Sequence, residues 1–248
     1  MGLSFRRCLC LLTVLCACAL GASGTLMRQG RDAPRPTPAE LQRLEALHLR
    51  AVGAEMVYTL HLPKTLRDLN ISANNLPFMP NGLLPAGLER LWMADNRLAA
   101  LPTDIPALKQ LTYLNLDRNL LKTLPDMRGT KLRWLRLNAN RLTVFPLLPD
   151  SVERLYLAHN RLTAVPETLP KSLKRLNLSG NPLTSVPDRL GAGLEFLDLS
   201  DTRLTALPKD LTPWRTLKTL ILSNCPLPEA ERDRIDAALP PGVTAVIW

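Results

Sequence analysis

The 248-residue sequence predicts an α/β repeat solenoid, a curved horseshoe with short parallel strands on its concave side, an extended or polyproline-like convex side and helical caps. Three observations carry that prediction. The phrase Leu-x-x-Leu-x-Leu-x-x-Asn recurs eight times, most cleanly from Leu132 to Asn140 and from Leu173 to Asn181. Its closing residue falls at Asn74, Asn96, Asn119, Asn140, Asn160 and Asn181, then becomes Thr202 and Cys225, at spacings of 20 to 23 residues, a period typical of solenoids. Each unit then ends on Leu-Pro or a relative, as at Leu124-Pro125, Phe145-Pro146 and Val165-Pro166. Prolines so dense exclude a regular convex helix and favour extended chain.

Residues 1–24 read as a secretory signal peptide. Arg6 and Arg7 precede an apolar run from Cys8 to Leu20, and small residues from Gly21 to Gly24 offer a cut before Thr25. The run is short for a bilayer span, which needs about 20 residues. Leu15-Cys16-Ala17-Cys18 also has the form of a lipidation signal, which makes Cys18 the one conceivable membrane anchor; the plainer reading takes these cysteines as apolar leader residues.

Residues 25–36 read as a linker and 37–55 as an N-terminal capping helix. Thr37-Pro38-Ala39-Glu40 has the form of a capping box with Pro in the first helical position, and Leu41, Leu44 and Leu47 follow at helical spacing. Residues 56–227 are the solenoid of about eight repeats, with Met56 to Leu62 as a degenerate first strand. Residues 228–248 form a C-terminal cap, a helix from Pro228 to Leu239 followed by an apolar strand from Val243.

Within each repeat the alternating leucines point inward, so the residues between them face out of the concave side. Two places after the first Leu these are Asp68, Arg90, Tyr113, Trp134, Arg154, Arg175, Phe196 and Thr219. Four places after it they are Asn70, Trp92, Asn115, Arg136, Tyr156, Asn177, Asp198 and Ile221. Five of the sixteen are aromatic in a chain that is 4% aromatic, and arginines are interleaved with them. Trp, Tyr and Arg dominate protein-binding hot spots, so Arg90, Trp92, Tyr113, Trp134, Arg136, Arg154, Tyr156, Arg175 and Phe196 form the expected partner-binding set. Trp92, Tyr113, Trp134 and Tyr156 are its anchors; Arg136, Arg154 and Arg175 are expected to pair acidic groups of a partner. Ordinary cross-strand packing of aromatics with Arg is the competing account.

Composition narrows the rest. Lys and Arg outnumber Asp and Glu by 31 to 22, a net charge of +9, which favours acidic partners or anionic surfaces. No run of five or six basic residues points to nucleic acid. Four of the five cysteines precede residue 19, so no disulfide framework holds the repeats, and Cys225 occupies the place of a closing Asn. His48, His61 and His159 lack metal-ligand spacing. No nucleophile-base arrangement or phosphate-cradling loop is present, so neither cofactor nor metal nor catalysis is expected.

These residues resemble the leucine-rich repeat family, specifically the short bacterial repeats ending Asn-x-Leu-x-x-Leu-Pro, as in Asn140 to Pro146 and Asn160 to Pro166. The resemblance covers about Leu66 to Leu227 and extends to type III effectors, including bacterial ubiquitin ligases whose repeats recognise a host protein. It departs in two places: the ligases carry a Cys-x-Asp motif in a separate C-terminal domain, whereas Cys225 precedes Pro226 and Leu227, and a leader is unusual among them. The resemblance therefore implies a secreted or envelope-associated, periplasmic or surface protein that recognises another protein through its concave face. The alternatives are an effector-type targeting module without a ligase domain, and a structural or carbohydrate-binding solenoid.

Overall fold

A computed structural model describes residues 24–190 and 193–248. The expected leader, its cleavage region up to residue 23 and the possible anchor at Cys18 lie outside the described residues. Eleven strands form one parallel sheet in simple sequence order: β1 Thr25–Gln29, β2 Ala46–Arg50, β3 Asp68–Asn70, β4 Arg90–Trp92, β5 Tyr113–Asn115, β6 Trp134–Arg136, β7 Arg154–Tyr156, β8 Arg175–Asn177, β9 Phe196–Asp198, β10 Thr219–Ile221 and β11 Ala245–Ile247. Each turn adds one strand, so the chain is a right-through solenoid rather than a sheet with crossovers between distant strands. The central residue of every strand from β3 to β10 is a fully buried leucine, among them Leu69, Leu114, Leu135 and Leu197, whereas β1 and β2 turn Leu26, Leu47 and Leu49 inward on either side of an outward central residue. Removing such a side chain from water is worth about 1.5–3 kcal/mol, and the sum along one continuous core holds the turns together.

The closing asparagines form an internal ladder. Asn140 donates to the carbonyls of Leu116 and Leu137 (2.9 and 3.1 Å) and accepts from the backbone N–H of Leu121 (3.1 Å). Asn96, Asn119, Asn160 and Asn181 repeat this pattern, each tying its own turn to the one before. At the end of the ladder the Thr202 hydroxyl and the Cys225 thiol both bond the Leu199 carbonyl, so Cys225 is a buried ladder residue.

The residue immediately before each ladder position is left-handed: Ala73, Asp95, Arg118, Ala139, His159, Asp201 and Asn224 have φ between 54° and 61°, and Gly180 has 66°. Only one of the eight is the glycine that this conformation favours. The bend that turns the chain off the strand is thus enforced by the ladder bonds on either side of it, not by local preference.

The N-terminal part corrects the expectation in three places. The stretch 25–36 opens with β1, which pairs with β2 over its full length, and so is not a linker there. The helix expected over 37–55 is one turn, α1 Pro38–Leu41; the Thr37–Glu40 capping box forms, but the chain then becomes β2. Leu44, Leu47 and Leu49 with Val52 are an unrecognised copy of the repeat phrase, and their inward alternation wins over helical spacing. Residues 56–62 are not a first strand: α2 Ala54–Thr59 lies there, with Val57 buried.

Beyond the repeats, α3 Glu229–Ala238 and β11 occupy the segments read as helix and strand. Arg234 of α3 bonds the carbonyls of Leu207 and Pro208, which places the helix on the convex side of the last turns. From β3 to β10 the described convex connections carry single 3₁₀ turns at Ile105–Ala107 and Thr212–Trp214 and are otherwise irregular. No helix among the described residues is long and apolar enough to cross a membrane.

Candidate functional site

Strand register turns the two outward positions into two columns on the concave face. One runs Asp68, Arg90, Tyr113, Trp134, Arg154, Arg175, Phe196, and the other Asn70, Trp92, Asn115, Arg136, Tyr156, Asn177, Asp198. All nine expected site residues therefore stand on one face. Register also extends the second column back to His48 on β2 and Met27 on β1, both outside the expected set because their turns depart from the repeat phrase at Arg28 and Val52.

Four of the five aromatic members form a continuous row, and Phe196 stands apart from it on β9. Ring centroids are 5.0 Å apart for Trp92 and Tyr113, 5.3 Å for Tyr113 and Trp134, and 6.3 Å for Trp134 and Tyr156. His48 adds a fifth ring 6.2 Å from Trp92, although β3 lies between their strands. Strands two apart are about 9.6 Å apart at the backbone; inward curvature is what brings these side chains together. Burial pushes the His48 imidazole below its ordinary pKa, against the nearby Asp68 carboxylate, which favours the proton, and with Arg90, which disfavours it. Burial likewise raises the Tyr113 phenol.

The charged members divide. Arg90 donates to Asp68 through Nε (2.6 Å), and Arg136 to Asp117 (2.7 Å), a carboxylate that is 3% exposed and also accepts from the Asn138 N–H. Both pairs lie within the fold, so Arg136 is not the free cation that was expected: the neighbouring turn supplies its carboxylate. Arg154 and Arg175 stand differently. Their guanidinia lie over the rings of Trp134 (4.8 Å) and Phe196 (4.5 Å), as that of Arg136 lies over Tyr156 (5.4 Å), but both are exposed and neither has a carboxylate within ion-pair distance among the described residues. They are adjacent and in register on β7 and β8.

The polar members are mostly committed to the backbone. Asn70, Asn115, Asn177 and Asp198 each accept the N–H two residues on, closing the end of their own strand. Asn70-Ile71-Ser72 and Asn177-Leu178-Ser179 have the Asn-x-Ser form of a glycosylation acceptor, and both asparagines are engaged in these turns. What remains uncommitted is the ring row, the Arg154–Arg175 pair and the indole N–H of Trp134, a buried donor without a partner. A shallow hollow of about 290 Å³ opens beside it between Tyr113, Trp134 and Arg154. The described residues contain no cluster of three or more His, Cys, Asp or Glu suited to a metal.

Comparison with known proteins agrees with this architecture. The leucine rich repeat family model matches residues 86–142 and 150–204. Podocan-like protein 1 of Mus musculus is 37% identical over 107 residues, 40% of this chain and 19% of that protein. Fibromodulin of Oryctolagus cuniculus is 32% identical over 109 residues, 41% of this chain and 74% of that sequence. The aligned stretch is under a third of the length of the first curated relatives. Among solved structures, YopM from Yersinia enterocolitica WA-314 superposes with a TM-score of 0.72 at 31% identity, over 90% of this chain and 46% of that one. A Shigella effector repeat domain gives 0.59 at 25% identity, over 74% and 80%. The chain belongs to the leucine-rich repeat family, and its solenoid is of the bacterial effector-like class.

Proposed function

We propose that this leucine-rich repeat protein is a non-catalytic recognition module that holds a protein partner in its concave face. The anchors are Trp92, Tyr113, Trp134 and Tyr156, and Arg154 and Arg175 receive acidic groups of the partner. The observation that carries this reading is the uninterrupted ring row from β4 to β7, flanked by arginines without carboxylates, on a face whose other polar groups are already committed. Aromatic residues and arginine are the residues by which most interfaces gain their affinity. The basic and apolar residues that open the sequence support export to the envelope or beyond.

Likeness to YopM and the Shigella effector domain favours one second reading, an effector-type targeting module that uses the same face on a host protein. A chain recovered from its site of action with Met1 intact would support it.

The test is affinity capture with the wild-type chain and with a Trp92→Ala/Trp134→Ala variant of matched circular dichroism and melting temperature. A protein retained by the wild type and lost by the variant identifies both partner and face. Identical capture by both sinks the concave assignment. Retention of a neutral polysaccharide, lost in the variant, would replace protein recognition by a carbohydrate-binding solenoid.

A further inference from the structure

The six segments 96–102, 119–125, 140–146, 160–166, 181–187 and 202–208, which lead from the ladder to the Pro of each turn, contain no Asp or Glu at all. They carry five cations: Arg97, Lys122, Arg141, Arg161 and Arg203. The backbone stacks these segments in one register. The N–H of Arg97, Arg141, Arg161 and Arg203 each donates to the carbonyl of the residue two places beyond the preceding ladder Asn, at Leu76, Leu121, Leu142 and Leu183 (all 2.9 Å). All four arginines are exposed, and none has a hydrogen bond or ion pair from its side chain among the described residues.

Two places after the arginine position stand Thr143, Thr163, Thr184 and Thr205 on four successive turns, exposed and likewise without side-chain bonds. Small residues follow them at Ala164, Ser185 and Ala206, so nothing bulky stands between the hydroxyls and solvent on those turns. The flank is therefore a narrow band of unspent guanidinium and hydroxyl donors. From Arg97 to Arg203 it spans five strand steps, roughly 24 Å at about 4.8 Å per step.

We propose that this band is a second interaction surface, separate from the concave face, and that it binds a linear acidic polysaccharide. Charge complementarity requires a polyanion. A line rather than a plane is favoured because carboxylates border the band on both sides. Asp201 lies just before the ladder, and Asp104, Glu167, Asp188 and Asp210 lie just beyond the prolines, none of them ion-paired among the described residues; Asp95 and Asp126 are held by Arg118 and Arg128. A broad anionic surface would meet those carboxylates, whereas a single chain laid along the arginines avoids them. The threonines supply donors suited to sulfate or carboxylate oxygens. Apart from Phe145 the band has no ring on which nucleic acid bases could stack.

The test measures binding of the full chain to immobilised dextran sulfate at about physiological ionic strength. One variant carries Arg97→Gln, Arg141→Gln, Arg161→Gln and Arg203→Gln. A charge-matched control carries Lys64→Gln, Lys131→Gln, Lys171→Gln and Lys209→Gln. The expected result is a loss of roughly tenfold or more in the band variant, with a flatter salt dependence, and much less in the control. The Trp92→Ala/Trp134→Ala variant should bind like wild type, so failure of the concave reading leaves this one standing, and the reverse. Equal loss in the two charge variants, or no wild-type binding, overturns the proposal. Tighter binding to single-stranded DNA, or to vesicles of equal phosphatidylglycerol and phosphatidylcholine, overturns the polysaccharide assignment.

Discussion

The ladder and the concave columns lie a few residues apart in every turn and use the same kinds of side chain, yet they have opposite fates. Asn140 is buried with its amide fully engaged, and it closes the gap between two turns. Trp134, six residues earlier and half-buried, keeps its N–H unpaired and its ring among other rings. The difference is not polarity or size but whether the adjacent turn supplies a partner. Where it does, the residue belongs to the fold; where it does not, the residue is available for recognition.

The sharpest way to break that division is at its extremes. Leu135→Ala should cost about 2–5 kcal/mol by leaving a cavity in the core. Asn140→Ala orphans the buried Leu121 N–H and removes one of the two ladder donors from each of the Leu116 and Leu137 carbonyls, and should cost about 1–3 kcal/mol. Trp134→Ala should cost clearly less stability than either, yet weaken partner binding by about 2 kcal/mol if it is a hot spot. Urea denaturation of the three variants decides it. A Trp134→Ala midpoint as low as that of Leu135→Ala would move this tryptophan from site to core.

The next test sits at the N-terminal turn, where the ladder is absent and a charge pair takes its place. Arg28, 2% exposed, occupies an inward position and donates to Glu40 (2.7 Å) and to the Pro34 carbonyl (3.0 Å). The Thr37 N–H and hydroxyl, with help from Arg28, hold the Glu40 carboxyl below its ordinary pKa. A lowered folded-state pKa means this stability is complete above the unfolded value near about 4.3 and is lost as pH falls through the folded one. Between pH 6 and acid the wild type should therefore lose more melting temperature than Glu40→Gln does. Parallel acid profiles would show that the pair contributes nothing.

How much of this was legible follows from the same contrast. Leu-x-x-Leu-x-Leu-x-x-Asn announces inward and outward positions outright, so the strands from β3 to β10 and all nine site residues fall where the spacing puts them. The first two turns were hidden because Leu41, Leu44 and Leu47 satisfy a helical period as well as a repeat, and because Val52 and Arg28 replace consensus residues. The fate of Arg136 was invisible for another reason. Its partner Asp117 is distant by nineteen sequence positions but adjacent in space, and nothing in the local pattern separates Arg136 from Arg154.

That pair offers a finer test. Arg136→Gln leaves the buried Asp117 carboxylate with only part of its hydrogen bonding and should cost about 1–2 kcal/mol. Arg154→Gln loses a ring contact on an exposed face and should stay within about 0.5 kcal/mol of wild type. Binding should rank the other way, with Arg154→Gln the weaker binder. The same ranking in both assays would erase the distinction between committed and available cations.

The last test concerns the left-handed residue that separates the two sets. Gly180 and His159 occupy this place on adjacent turns, and a Cβ on Gly180 would stand 2.3 Å from His159 Nδ1. The backbone angle alone does not demand glycine, since Ala73 and Ala139 hold the same bend with φ near 60°. Left-handed strain in the folded state exceeds the reduced freedom of the unfolded chain, which leaves a net backbone cost of up to about 1 kcal/mol. Gly180→Ala should therefore cost about 1–2 kcal/mol, part of it from driving His159 off its rotamer. In a His159→Ala background the cost should fall by that part, about 0.5–1 kcal/mol. A cost unchanged by removal of the imidazole would locate the requirement in the backbone of that turn alone, making Gly180 a residue of the ladder bend and not of the surface beside it.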